Sequence, residues 1–196
     1  MKVGLFGCTC DPIHFGHLNL AVEIFEKQKL DAVWLFPTGV NAFKIGASFA
    51  TKKQRLEMAR LAVEDFPMLT VRDDEIVRAG VSYAIDTVTL LKQEYDYEFG
   101  IILGEDAALG LPRWKDVETL LQKVEIYTGT RGDNAVLEAL SGTPQIAKAV
   151  AKGLTKTRAL EISSTEIRRR IQENLCCRHL LPGKVIDLIS QQKLYL

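Results

Sequence analysis

The sequence predicts an α/β fold, a doubly wound parallel sheet with helices on both faces, and two observations predict it. Short runs rich in β-branched and aromatic residues recur at 2–7, 32–36, 69–72, 99–103 and 124–127, and longer stretches with helical spacing separate them. Strands that alternate with helices pair in parallel and bury both faces of their sheet. At 196 residues, 47% hydrophobic and 26% charged, the chain suits one compact domain, 1–196, with 163–196 as a C-terminal helical segment.

Each element has its own signal. After the first run, Leu18, Ala21, Val22 and Phe25 repeat at three- and four-residue spacing, which lays one helix face on the sheet. The second run leads into a connection from Pro37 to Ala50, fourteen residues long, where such loops usually take about 2 to 6. Long ordered loops at strand ends tend to bind something. Thr51 and Gln54 then pair as a capping box, and Leu56, Ala59 and Val63 form the apolar face of the helix that follows. Ser163 and Glu166 repeat the device ahead of Ile167, Ile171 and Leu175, and Pro182 opens a last short helix carrying Val185, Leu188 and Ile189. There is no internal repeat, linker or low-complexity tract.

Charge and composition exclude several classes. Twenty-five Lys and Arg balance 25 Asp and Glu, giving zero formal charge and a pI near 6.8, so the chain does not bind nucleic acid through bulk basic charge. No apolar run approaches the roughly 18 residues that span a bilayer, and the start is too short for a signal peptide. A cytoplasmic protein without membrane partners is expected, and the sequence is silent on oligomeric state. Cys8, Cys10, Cys176 and Cys177 match neither a disulfide framework nor zinc knuckles, so all four are expected as reduced thiols and no protein metal site is expected.

The chemistry concentrates where the first run ends. Gly7-Cys8-Thr9-Cys10-Asp11-Pro12-Ile13-His14-Phe15-Gly16-His17 leads into a helix, and in an open parallel sheet the carboxyl end of the first strand borders the ligand crevice. His14 and His17 fall on one side of a first helical turn, where unpaired N–H groups and the dipole favour an anion. Gly16 leaves room for a ligand to approach the backbone. The alternative is two surface histidines at a helix cap. Ser163, Ser164 and Thr165 offer hydroxyls and amides at a second helix start. Arg168, Arg169 and Arg170 follow in its first two turns, where cations oppose the dipole unless an anion is near. A solvated basic face accounts for Arg169 and Arg170, and Arg168 is the functional candidate.

These residues carry a resemblance. His14-Phe15-Gly16-His17 resembles the HxGH signature of the nucleotidyltransferase superfamily, and Ile162-Ser163-Ser164-Thr165-Glu166-Ile167-Arg168 resembles its ISSTxIR segment. Gly80 to Thr87 is similar to the G-x-SYTIDT stretch of bacterial nicotinate-nucleotide adenylyltransferases, as are Leu103-Gly104-Glu105-Asp106 and Trp114-Lys115 to their LGxD and Trp-Lys. Pro37-Thr38-Gly39, Arg55-Leu56-Glu57-Met58 and Leu194-Tyr195 also match, while 131–158 align loosely. The chain departs from the family at GGTFDP, where Cys8 and Cys10 replace glycine and phenylalanine. It departs again at PPHK, which reads Asn41-Ala42-Phe43-Lys44, and at the threonine of SYT, which is Ala84.

The resemblance implies a Rossmann-like nucleotidyltransferase fold and adenylyl transfer from ATP to nicotinate mononucleotide, yielding nicotinate adenine dinucleotide and pyrophosphate. It implies His14, His17, Lys44 and Arg168 as catalytic residues. Gly7, Thr9, Gly16, Gly104, Asp106, Ser163, Ser164 and Thr165 join His14, His17 and Arg168 around ATP, and Lys44, Ser82, Tyr83, Ala84, Trp114 and Arg131 around the acceptor. For Trp114 a partly buried aromatic beside Pro112 is an equal alternative, as is a solvent-facing loop position for Arg131. Magnesium is expected with the triphosphate, held by phosphate oxygens and water. Nicotinamide mononucleotide or phosphopantetheine as acceptor, or a degenerate nucleotide-binding protein without turnover, are the alternative readings. A dehydrogenase would carry G-x-G-x-x-G after its first strand and a P-loop kinase a Walker A sequence, and neither is present.

Overall fold

The structure, a computed structural model, describes residues 1–42, 49–78, 80–130, 132 and 135–196. The five predicted runs are strands: β1 (Lys2–Cys8), β2 (Ala32–Pro37), β3 (Leu69–Val71), β4 (Glu98–Gly104) and β5 (Glu125–Thr130). A further strand, β6 (Leu154–Lys156), has only three residues and no periodic signal of its own. The sheet order is β3-β2-β1-β4-β5-β6, reversing direction of growth between β1 and β4 as a doubly wound sheet does. β4 pairs in parallel with β1, β5 with β4 and β6 with β5, aligning Lys2 with Glu98, Gly100 with Glu125 and Thr128 with Leu154. Leu5 and Phe6, or Val33 to Phe36, are buried in succession, the pattern of strands covered on both faces.

The helices are α1 (Phe15–Lys27), α2 (Lys52–Val63), α3 (Asp74–Val77), α4 (Ala84–Glu94), α5 (Glu105–Leu109), α6 (Val117–Lys123), α7 (Ala135–Ala139), α8 (Pro144–Lys152), α9 (Ser164–Gln172) and α10 (Gly183–Gln191). No helix among the described residues is long and apolar enough to cross a membrane. The Thr51–Gln54 capping box at α2 forms in both directions. At α9 only half of the device forms. Ser163 Oγ accepts from Glu166 N, whereas the Glu166 carboxylate turns to Arg169, a stronger charge-assisted partner. Two apolar assignments also need correction. Leu18 and Ala21 are buried with Ile24, while Val22 and Phe25 lie at the edge of that face. Leu175 is exposed because α9 stops at Gln172 and Asn174 turns the chain at φ 54°.

The chain folds into two compact units. The first comprises Met1–Gly7, Leu20–Trp34 and Tyr83–Ala159. Ile101, Ile102, Ile126 and Tyr127 form its core, beside an aromatic cluster in which Trp34 meets Tyr95 at 5.1 Å between ring centroids and Tyr95 stacks on Tyr97 at 5.3 Å. The second comprises Cys8–Asn19, Leu35–Ser82 and Leu160–Leu196. Its core brings Met58 and Ala59 of α2 together with Ile167, Val185, Leu188 and Ile189. Gln54 with Gln192 and Glu64 with Lys184 join α2 to α10 and its end at the surface.

Candidate functional site

In the second unit, β1 ends at Cys8 and the chain needs six residues to reach α1. Cys8 and Cys10 are joined in a disulfide, with Cα atoms 5.3 Å apart. The expectation of four reduced thiols is therefore wrong for this pair. Cys10 adopts a left-handed φ of 56°, and that bend brings two side chains only two residues apart within bridging distance. Cys176 and Cys177 are free, as expected.

His14 closes this segment and caps α1, its carbonyl accepting from His17 N at 2.9 Å and Leu18 N at 3.2 Å. Its ring is buried, its Nδ1 has no partner among the described residues, and burial followed by the nearby His17 charge pushes its pKa down to about 2. His14 is thus a neutral imidazole at working pH. The His17 ring lies 3.8 Å from it between centroids, and His17 Nδ1 accepts from His14 N at 3.3 Å. That bond assigns the proton of a neutral His17 to Nε2. Gly16 serves a purpose the sequence did not disclose. A Cβ there would meet His14 Nδ1 at 3.0 Å and Cε1 at 3.1 Å, so a glycine at this position lets the His14 ring pack against the helix start.

The start of α9 is fastened to the same segment. Ser164 Oγ donates to Pro12 O at 2.9 Å, and Arg168 donates to Asp11 O at 2.7 Å and to Thr165 Oγ1 at 3.2 Å. The Arg168 guanidinium also lies 4.4 Å over the Phe49 ring. The Ser163 hydroxyl accepts from Glu166 N, which leaves its own proton to donate, whereas Ser164 spends its proton on Pro12. Arg169 pairs with Glu166 and Glu173 on the solvated face, as expected, whereas Arg170 is half-buried and donates to Cys176 O, fastening the end of α9 to the turn that follows it. Thr9 sits between the bonded cysteines, accepting from Asn41 Nδ2 at 3.1 Å. Ser82 Oγ accepts from Gly39 N at 2.9 Å. Lys44 and Arg131 lie outside the described residues.

Gly7, Tyr83, Ala84, Gly104, Asp106 and Trp114 belong to the first unit. Gly104 caps α5, with Asp106 exposed in its first turn. Trp114 is half-buried and closes a 3-10 turn over Leu111–Arg113. Lys115 joins the Tyr83–Asp86 segment to the one that carries Trp114, reaching Asp86 at 3.1 Å and standing 4.7 Å over the Tyr83 ring. That role for Lys115 was missed in sequence.

The cytidylyltransferase-like family matches residues 5–170. The chain belongs to that family. It is 31% identical to a protein of Hydrogenobaculum sp. (strain Y04AAS1) named "Probable nicotinate-nucleotide adenylyltransferase", over 100% of this chain and 98% of the relative. It is 36% identical to a protein of the same name from Roseiflexus sp. (strain RS-1), over 98% and 97%. In fold it is similar to Plasmodium falciparum nicotinic acid mononucleotide adenylyltransferase complexed with NaAD, with a TM-score of 0.79 at 19% identity, covering 99% of this chain and 97% of that one.

In this cytidylyltransferase-like chain the buried charges Asp11 and Arg55 hold the candidate site together, and neither stood out among the sequence candidates. Asp11 accepts through its carboxylate from Phe49 N at 2.8 Å, Ala50 N at 3.2 Å and Tyr195 Oη at 2.7 Å, besides the Arg168 bond to its carbonyl. The one available signal was its place in the motif immediately before Pro12.

Proposed function

We propose that the chain transfers the adenylyl group of magnesium-bound ATP to nicotinate mononucleotide. A phosphate oxygen of the mononucleotide attacks the α-phosphorus, the bond from that phosphorus to the β-phosphate bridging oxygen breaks, and pyrophosphate leaves with the electron pair. Such an in-line displacement needs positioning and charge neutralisation and no covalent nucleophile. One observation carries this reading: Ser164 and Arg168, at the start of α9, bond to the carbonyls of Pro12 and Asp11, in the segment that runs directly into His14, His17 and the start of α1.

For adjacent phosphates of one chain, the start of α9 supplies amides, a dipole and a guanidinium, and the start of α1, whose Phe15 N already donates to Leu180 O, supplies a dipole and the His17 imidazole. His17 Nε2–H donates to the charge that gathers on the α- and β-phosphates, Arg168 and the amides of α9 hold the leaving pyrophosphate, and neutral His14 fixes the turn. Magnesium arrives as part of the substrate, held by phosphate oxygens and water. The Asp11 carboxylate is engaged by three protein donors, Phe49 N, Ala50 N and Tyr195 Oη. For Lys44 at the phosphates, for Gly104 and Asp106 at adenosine, and for Tyr83, Ala84 and Trp114 at the pyridine ring, the assignments rest on the family resemblance.

Purified protein with magnesium, ATP and each acceptor in turn, assayed for pyrophosphate release, tests this. Nicotinate mononucleotide is expected to be preferred over its amide, because backbone donors aimed at a carboxylate are left unpaired by an NH₂ group. Equal rates with acid and amide widen the acceptor class, a preference for phosphopantetheine moves it, and no release with any acceptor leaves a nucleotide-binding protein.

A further inference from the structure

The second unit contains a buried cation that the proposed reaction does not use. Arg55, in the first turn of α2, is 1% exposed and heads the largest fully buried side chains among the described residues. One end of its guanidinium donates to Thr9 O at 2.7 Å and the other to Gly39 O at 3.1 Å, while its Nε has no partner among the described residues. Both acceptors are loop carbonyls. Thr9 lies between β1 and α1, and Gly39 lies just after β2.

Removing a guanidinium from water is costly, and an apolar side chain of similar volume packs a core at least as well. A fully buried arginine whose two ends bridge two loop carbonyls therefore points to geometry. Everything around it has the same effect. Thr38 N donates to Cys8 O at 2.9 Å, and Asn41 Nδ2 donates to Thr9 Oγ1 at 3.1 Å, so the two loops are also stitched directly. Gly39 is wedged as well as bonded: a Cβ there would meet Glu75 O at 2.1 Å, and its N–H is held by Ser82. Asp11, two residues beyond Thr9, supplies the counter-charge that opposes the burial-driven lowering of the Arg55 pKa.

We propose that Arg55 is a positioning residue for adenylyl transfer. It clamps Thr9 to Gly39, setting the segment that carries His14 and His17 against the loop of Thr38 to Asn41, and touches no substrate itself. The proposal rests on the function proposed above.

Two variants and two readouts test it. Arg55→Lys keeps a charge near Asp11 but is a point donor that cannot span both carbonyls. It is expected to fold, to lose about 10²-fold in kcat per folded molecule through misplacement of the phosphate contacts, and to change KM for either substrate by much less. Amide hydrogen exchange in the peptides covering 8–12 and 38–42 is expected to speed up at least ~10-fold with exchange in α10 unchanged, since only local opening is affected. Arg55→Met, which leaves both carbonyls without this donor, is expected to show the same loop exchange more strongly if it folds. Retention of kcat within about two-fold by folded Arg55→Lys, or unaltered protection of both loops, overturns the proposal. No pyrophosphate release by the unsubstituted protein overturns the adenylyl-transfer reading instead, and exchange then decides by itself whether Arg55 holds the two loops.

Discussion

The hydroxyl of Tyr195, the penultimate residue, donates to Asp11 Oδ1 at 2.7 Å, with both side chains buried. The bond closes 184 residues of sequence separation and anchors the C-terminal end behind the segment that carries the two histidines. Burial first, and then this bond to the carboxylate, push the Tyr195 pKa up, so the phenol stays a donor throughout the working range.

Tyr195→Phe is expected to lower the unfolding free energy by roughly 1–3 kcal/mol, the cost of leaving a buried acceptor short of a partner. Urea denaturation checks this. A change below a few tenths of a kcal/mol would mean that water or a rearranged donor replaces the hydroxyl.

His14 predicts a pH dependence. Its folded pKa of about 2 lies below the ordinary value of 6.5, so between these values the unfolded chain binds the extra proton. Its contribution to stability is complete above about pH 6.5 and falls as pH drops, by up to about 1.4 kcal/mol per pH unit. Unfolding free energies at pH 7 and pH 5 are expected to differ by about 2 kcal/mol more in the unsubstituted protein than in His14→Asn. Parallel pH profiles would show that His14 titrates normally.

His17→Ala is expected to reduce kcat by about 10² or more with a smaller change in KM for ATP, since a donor to charge that develops at the barrier acts mainly there. Steady-state kinetics with an intact circular-dichroism spectrum decides it. A loss of less than a few-fold removes His17 from the chemistry.

For Arg168 the expected profile differs. Arg168→Ala is expected to raise KM for ATP about tenfold or more, the loss of a charge-assisted bond to phosphate, and to leave KM for the acceptor nearly unchanged. Unaltered ATP kinetics would confine Arg168 to its bonds with Asp11 and Thr165.

The Cys8–Cys10 bond predicts a thiol count. Titration in denaturant is expected to find two thiols without reductant and four after reduction, out of four cysteines in the chain. Four thiols before reduction would return this pair to the reduced state.

What the sequence determined by itself is whatever spans one or two turns of chain. The alternation of strands and helices, the Thr51–Gln54 box and the placing of His14 and His17 at a helix start depend on neighbours at most four residues apart, and all are present. The solvated role of Arg169 was legible for the same reason, since its acidic partners stand three and four residues away. β6 escaped because three residues at a sheet edge are too few to show a period, and their strand state comes from pairing with β5. The folded chain alone decided that Asp11 is an acceptor for Tyr195, that Arg168 reaches back 157 residues to the Asp11 carbonyl, that Arg55 joins Thr9 to Gly39, and that Gly16 yields to His14. A charged residue in a sequence looks like surface until the fold removes its water. Desolvation then makes each unmet donor or acceptor expensive, and the partners that satisfy it are chosen by proximity in space.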